Sequence, residues 1–137
     1  MKAIRFLNTA EKLKDSTPEE DARTSINRSY YAIIHLVRER LGKEKIEINR
    51  TQTHLLHNIF FMCNNRNVRA IGAQISTLHD ARIHADYKLN RNVQQGFAQT
   101  NYDIACKAKE DITLAFNGPE KEDIVKQARI YLNARTN

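Results

Sequence analysis

Between Pro18 and Leu41 the chain has no glycine and no further proline, and Ile26, Tyr30, Ile33, Ile34, Val37 and Leu41 recur at helical spacing. Three- and four-residue spacing puts these side chains on one stripe of an α-helix. A helix of this length cannot bury such a stripe alone. It must pack against other helices, so this segment commits the chain to a helical bundle. Its start is also written in the sequence. Thr17 can act as N-cap, Pro18 occupies the first helical position, and Glu20 stands three residues after the cap, which is the pattern of a capping box. Gly42 is the expected stop.

The remaining elements follow the same logic. A first short helix is predicted at 2–14, with Ile4, Leu7 and Phe6 inward. A polar loop spans 43–50. A third helix starts near Thr51 or Thr53 and carries Leu55, Leu56, Ile59, Phe60, Met62 and Cys63. The run Asn64-Asn65-Arg66-Asn67 breaks it, because Asn favours turns. A fourth helix covers 68–87 and a fifth 97–116. Asn117-Gly118-Pro119 ends the fifth, and Pro119 opens a sixth over 119–135, with Ile124, Val125, Ala128, Tyr131 and Leu132 as core positions. Four glycines and two prolines in 137 residues leave little room for the turns of a β fold. No repeat or linker divides the chain. The prediction is one all-α domain over 1–137, an up-and-down antiparallel bundle of four to five core helices plus a C-terminal helix.

No stretch has the roughly 20 apolar residues of a membrane span. Met1 to Asn8 is too polar for a secretory signal. Cys63 and Cys106 lack C-x-x-C spacing and read as free thiols in a reducing compartment. The expected location is the cytoplasm. The formal net charge is +6, and residues 51–100 are the most one-sided, with five basic and two acidic side chains. A basic surplus favours polyanionic partners through counterion release.

The fourth helix holds the most chemistry. Its stripe Val68, Ile71, Ile75 and Leu78 continues onto Arg82 and Ala85. A guanidinium in line with core residues must be paired or must line a groove. Asp86, four residues on, is a natural partner. The pair is either a structural brace or a device that presents Arg82 to a phosphate. On the second helix Arg28, Tyr31, His35 and Glu39 form a polar stripe, either a solvated face or an interface. His54 and His57 share a face, but a metal site needs a third ligand. No phosphate loop and no G-x-S-x-G is present. Asn49-Arg50-Thr51 matches a glycosylation sequon only formally.

These residues have a familiar order. Arg28-Ser29-Tyr30-Tyr31-Ala32-Ile33-Ile34-His35 resembles the R-x-Y-Y-A-x-x-H helix of small stand-alone HEPN-domain proteins. Thr53-His54 resembles the Thr-His that opens the next helix there. Leu78, Arg82, Ala85, Asp86 and Tyr87 resemble the L-x-x-x-R-x-x-A-D-Y block of the same branch. The resemblance spans residues 20–116 and leaves the sixth helix outside.

It implies a bundle that pairs as a homodimer and acts on RNA, with no cofactor and no metal. Catalytic members are metal-independent endoribonucleases of toxin–antitoxin and phage-defence systems. They carry an R-x(4–6)-H signature across a composite groove of two subunits. Transferred to this chain, the resemblance makes Arg82, His84 and His35 the catalytic candidates. Arg28, Tyr31, Asp86, Tyr87, Arg66 and Arg69 are the groove-lining ones. The chain departs from the signature, because His84 follows Arg82 by two residues and so points about 200° away on a helix. Arg28 to His35 and Arg50 to His57 fit R-x(6)-H formally, at other positions. Three readings stay open. One is an RNA-directed ribonuclease. One is a non-catalytic dimeric module that binds RNA, nucleotide or a partner such as an antitoxin or a minimal nucleotidyltransferase. One is a plain structural subunit.

Overall fold

The computed structural model describes residues 2–136. Its helices are α1 (Ala3–Leu13), α2 (Glu19–Lys43), α3 (His57–Phe61), α4 (Arg66–Tyr87), α5 (Gln95–Phe116) and α6 (Lys121–Thr136), with a 3₁₀ turn at Arg50–Gln52. No strand occurs among the described residues, so the all-α bundle foreseen from the periodicity is the observed fold. α2 is its axis and packs on α1, α4 and α5.

Register bonds give the directions. Ala3 N donates to Glu39 Oε1 and Ser25 Oγ to Ala10 O, so α1 and α2 run antiparallel. Asn27 bonds Asp86 while Tyr30 meets His79, so α2 and α4 are antiparallel. His84 meets Phe97 and Gln74 bonds Asp111, so α4 and α5 are antiparallel too. Short connections impose this arrangement. No helix among the described residues is long and apolar enough to cross a membrane.

The stripe on α2 lies in the core: Tyr30, Ile33, Ile34, Val37 and Leu41 are buried in one cluster with Leu56, Ile59, Phe60, Ile71, Ile75, Leu78, Ile112 and Ile124. Each such side chain contributes roughly 1.5–3 kcal/mol relative to exposure. A second, smaller cluster lies at the other end of α2. It consists of Ala22, Ile26, Ala81, Ala85, Val93 and Ala98. Alanines there let α2 and α4 approach closely, in the stretch that carries Arg82 and Asp86.

The structure corrects several local expectations. Thr17 does not cap α2. The helix begins at Glu19 after an extended Pro18, with no side-chain cap. Ser16 Oγ donates instead to the Asp21 carboxylate, and Pro18 O accepts from Asp21 N and Ala22 N. Gly42 does not end α2 either. The helix runs to Lys43, and Lys45 takes the left-handed conformation at φ 60°. Ile46 N then bonds Leu41 O and Lys45 N bonds Gly42 O, which is a Schellman closure with buried Ile46 packed behind it.

Between Thr51 and Cys63 the chain forms two short pieces rather than one helix. Asn49, not either threonine, caps the first: its side chain accepts from Thr51 N, and Gln52 Oε1 accepts from Asn49 N. Thr51 and Thr53 turn their hydroxyls onto local acceptors, Asn49 Oδ1 and Arg50 O. Met62, expected inside, is exposed, and so is Ile4. α4 starts at Arg66, capped by Asn65, whose side chain accepts from Asn67 N and Val68 N. α5 starts at Gln95 rather than at 97, and α6 at Lys121 rather than at Pro119.

Candidate functional site

Residues 28, 31, 35 and 38 fall on one face of α2, because spacings of three and four return to the same side of a helix. That face forms the floor of a groove of about 630 Å³. Phe6 of α1 closes one wall. Arg82 of α4 closes another, and Arg50 of the 3₁₀ turn and Thr53 just after it stand at the rim. Arg28, Arg38, Arg50 and Arg82 therefore share one cavity with His35. No carboxylate is among its lining residues in the described part of the chain. A larger cleft, about 1110 Å³, runs along α6. It is lined by Glu44, Glu120, Glu122 and Asp123 as well as lysine and arginine, so it has no single sign of charge.

The groove's side chains are held in defined places. The His35 ring stacks on Phe6 with centroids 4.6 Å apart. Arg28 lies over the same Phe6 ring at 5.6 Å. Arg82 is sandwiched between Tyr31 and Tyr87, at 5.3 and 5.1 Å from the ring centroids. Cation–π contact suits a guanidinium that is partly desolvated. Its Nη2 donates to Tyr87 Oη at 3.2 Å. Its Nε lies 2.9 Å from Asp86 Oδ2, within ion-pair range but without hydrogen-bond alignment. Asp86 also accepts from Asn27 Nδ2 at 2.9 Å, and Asn27 Oδ1 accepts from Arg28 Nη1 at 2.9 Å. Arg38 Nε donates to Ile48 O at 2.9 Å and so fixes the strap that leads to Arg50.

Electrostatics follow from this packing. Burial pushes the His35 pKa below the ordinary histidine value, and the neighbouring Arg38 adds to the shift, while Glu39 opposes it. The shift favours the neutral imidazole, the form that can accept a proton. Burial works against the charge of Arg82, but Tyr31, Tyr87 and Asp86 outweigh it and hold its pKa above the usual guanidinium value. Tyr30, behind the floor, is pushed up to about 12, first by burial and then by Tyr31.

Of the residues singled out from sequence, the structure brings Arg28, Tyr31, His35 and Arg82 into this one groove, with Asp86 and Tyr87 in direct contact with Arg82. It does not bring the others. His84 faces away, with its ring edge-on to Phe97 and Nε2 3.5 Å from Asn92 O. Residues two apart on a helix diverge in this way. Arg66 and Arg69 stand at the opposite end of α4 from Arg82. Sixteen positions at 1.5 Å place Arg66 about 24 Å away along the axis. Arg69 is occupied with the carbonyls of Cys63 and Asn64. His57 packs against Phe61 and His79, and no group of three or more potential metal ligands occurs among the described residues.

Sequence reasoning missed Asn27 and Arg38, and it read Phe6 as core, Arg50 as a formal motif match and Thr53 as a cap or motif residue, none of them as lining a groove. Arg38 was within reach, since it extends the 28, 31, 35 spacing by one more turn. Asn27 and Arg50 carried no periodic signal. Comparisons with family models, curated proteins and solved structures return no match.

Proposed function

We propose that this chain is an RNA-directed, HEPN-like protein whose α2–α4 groove holds a phosphodiester backbone, with the chemistry of a metal-independent endoribonuclease. The observation that carries the reading is the convergence of Arg28, Arg38, Arg50, Arg82 and His35 on a groove that no carboxylate lines among the described residues. Guanidiniums bind phosphate oxygens in paired, charge-assisted geometry, and Arg82 is pre-oriented by its two tyrosines. His35 would take the proton from a ribose 2′-hydroxyl as that oxygen attacks the adjacent phosphorus. The arginines would stabilise the charge that develops on the phosphoryl oxygens. The P–O5′ bond breaks, leaving a 2′,3′-cyclic phosphate, and the departing 5′-oxygen takes a proton from the imidazolium or from water. This reading fits a homodimer of the resembled kind in the cytoplasm, toxic or defensive in role and held in check by a cognate partner.

A second reading, a non-catalytic binding module for RNA, nucleotide or a partner protein, is favoured by one specific feature. His35 is stacked on Phe6, and the histidine nearest Arg82 in sequence lies outside the groove. A cleavage time course in EDTA separates the two, comparing wild type with Arg82→Ala and His35→Ala. Cleavage by wild type, lost in both variants, establishes the ribonuclease. Intact RNA with all three folded proteins moves the function to binding. Cleavage at the wild-type rate by Arg82→Ala refutes the assignment of the groove.

A further inference from the structure

Asn27 occupies a place in this groove that its neighbours' chemistry defines closely. An amide has an acceptor at one end and donors at the other, an arginine only donates, and a carboxylate only accepts. The orientation of Asn27 is therefore dictated: Oδ1 must face Arg28, and Nδ2 must face Asp86. Both contacts are made at 2.9 Å. The second crosses from α2 to α4 and joins residues 59 apart in sequence. Asp86 Oδ2, the atom that accepts from Asn27, is also the atom 2.9 Å from Arg82 Nε. Asn27 and Asp86 thus link Arg28 on the floor of the groove to Arg82 on its wall, in the order Arg28, Asn27, Asp86, Arg82.

We propose that Asn27 is the positioning residue of the groove, which orients the Arg28 and Arg82 guanidiniums toward a common ligand. Its role as a ligand-binding device rests on the phosphodiester reading above; the orienting itself does not. The physical argument is a competition for Asp86. Held by Asn27, the carboxylate sits at the Nε side of Arg82. Nη2 then reaches Tyr87, and Nη1 has no hydrogen bond to the described residues. Released, the carboxylate is free to swing into a bidentate pair with Arg82, the geometry that these two groups prefer. Such a pair would consume the donors that a phosphate needs. Arg28 would lose its anchor at the same moment and fall back on Phe6 alone.

The test exchanges the amide and the carboxylate across the bridge. Full-length wild type, Asn27→Ala, Asn27→Asp, Asp86→Asn and the double variant Asn27→Asp/Asp86→Asn are compared, each checked for folding by thermal melting. Two readouts are taken. One is the arginine Nε–Hε NMR signals of the free protein, where the solvent-shielded Arg82 Nε gives a protected signal. The other is the affinity for 5′-labelled octauridylate by fluorescence anisotropy.

In Asn27→Ala and Asn27→Asp the Arg82 Nε–Hε signal should shift as Asp86 re-pairs with the guanidinium, and affinity should fall about tenfold, as charged hydrogen bonds of this kind warrant. In the double variant the carboxylate on α2 accepts from Arg28 and from the amide on α4, and that amide's carbonyl faces Arg82. Signal and affinity should then return to within about threefold of wild type. An Arg82 signal unchanged in Asn27→Ala overturns the proposal, as does a double variant no better than the weaker single. If wild type binds no octauridylate while the Arg82 signal responds as described, the positioning role stands and the phosphodiester reading falls.

Discussion

If the groove binds a polyanion, its affinity must depend on salt in proportion to the number of arginines engaged. Four of them line it: Arg28, Arg38, Arg50 and Arg82. Each phosphate contact on a single strand adds about −0.7 to the slope of log K against log salt, so four contacts give about −2.8. Raising monovalent salt from about 50 to about 200 mM should then weaken binding about fifty-fold. Arg50→Ala is the clean perturbation, since the backbone carbonyl of Arg50 makes its described hydrogen bond and the side chain is free to engage a ligand. It should reduce the slope to about −2.1 and the salt effect to about eighteen-fold. Arg66→Ala, at the far end of α4, is the matched control and should leave the slope unchanged. Fluorescence anisotropy with labelled octauridylate over a salt series measures all three. Equal slopes for wild type and Arg50→Ala, or an equal loss in Arg66→Ala, would refute the argument that this groove is where the strand lies.

Three further outcomes follow from the same structure. Arg23 is largely buried and donates to Ala85 O at 2.7 Å and to Arg91 O while pairing with Glu19 at 3.0 Å, so it caps the last turn of α4 and ties down the loop beyond it. Arg23→Met should cost about 2 kcal/mol, chiefly the charged bond to Ala85 O, and lower the melting temperature by about 7 °C for a domain of this size. Lys45→Gly should stabilise the protein by about 0.5–1 kcal/mol in urea unfolding, because glycine relieves the left-handed strain at φ 60° but loses more chain entropy. The pKa of His57 is lowered by burial first and then by His79 and His54, against the pull of Asp80. Its contribution is therefore present above the unfolded value near 6.5 and is lost as pH falls below it. His57→Gln should flatten the decline in stability between about pH 6.5 and 5, as read from melting temperatures.

How much of this was legible in the chain differs by scale. The bundle was, because Ile26 through Leu41 and Val68 through Leu78 repeat with the helical period and glycine and proline are scarce. Helix ends were less so. Thr17, Pro18 and Glu20 carry the letters of a capping box. A competing bond, Ser16 to Asp21, takes the turn instead, and nothing in the local sequence ranks one against the other. At Lys45 a lysine sits where glycine is the usual choice, and only the burial of Ile46 explains why the chain accepts it. The site was half legible for the same reason. Residues that share a helix face, such as Arg28, Tyr31 and His35, announce themselves by spacing. Arg50 enters from a 3₁₀ turn outside the long helices, and Asn27 matters through a partner 59 residues away, so each depends on tertiary packing that no period encodes.

One contact gives α6 a bearing on the groove that its distance in sequence conceals. Tyr131, buried on α6, donates its hydroxyl to the backbone carbonyl of Gln52, the last residue of the turn that carries Arg50. The Arg50 wall is thus fastened from two sides, by Arg38 through Ile48 O and by Tyr131 through Gln52 O. A protein that grips α6, or a truncation that removes it, acts on the rim of the groove without touching it. The C-terminal helix is a handle by which a distant event can widen or narrow what the arginines hold.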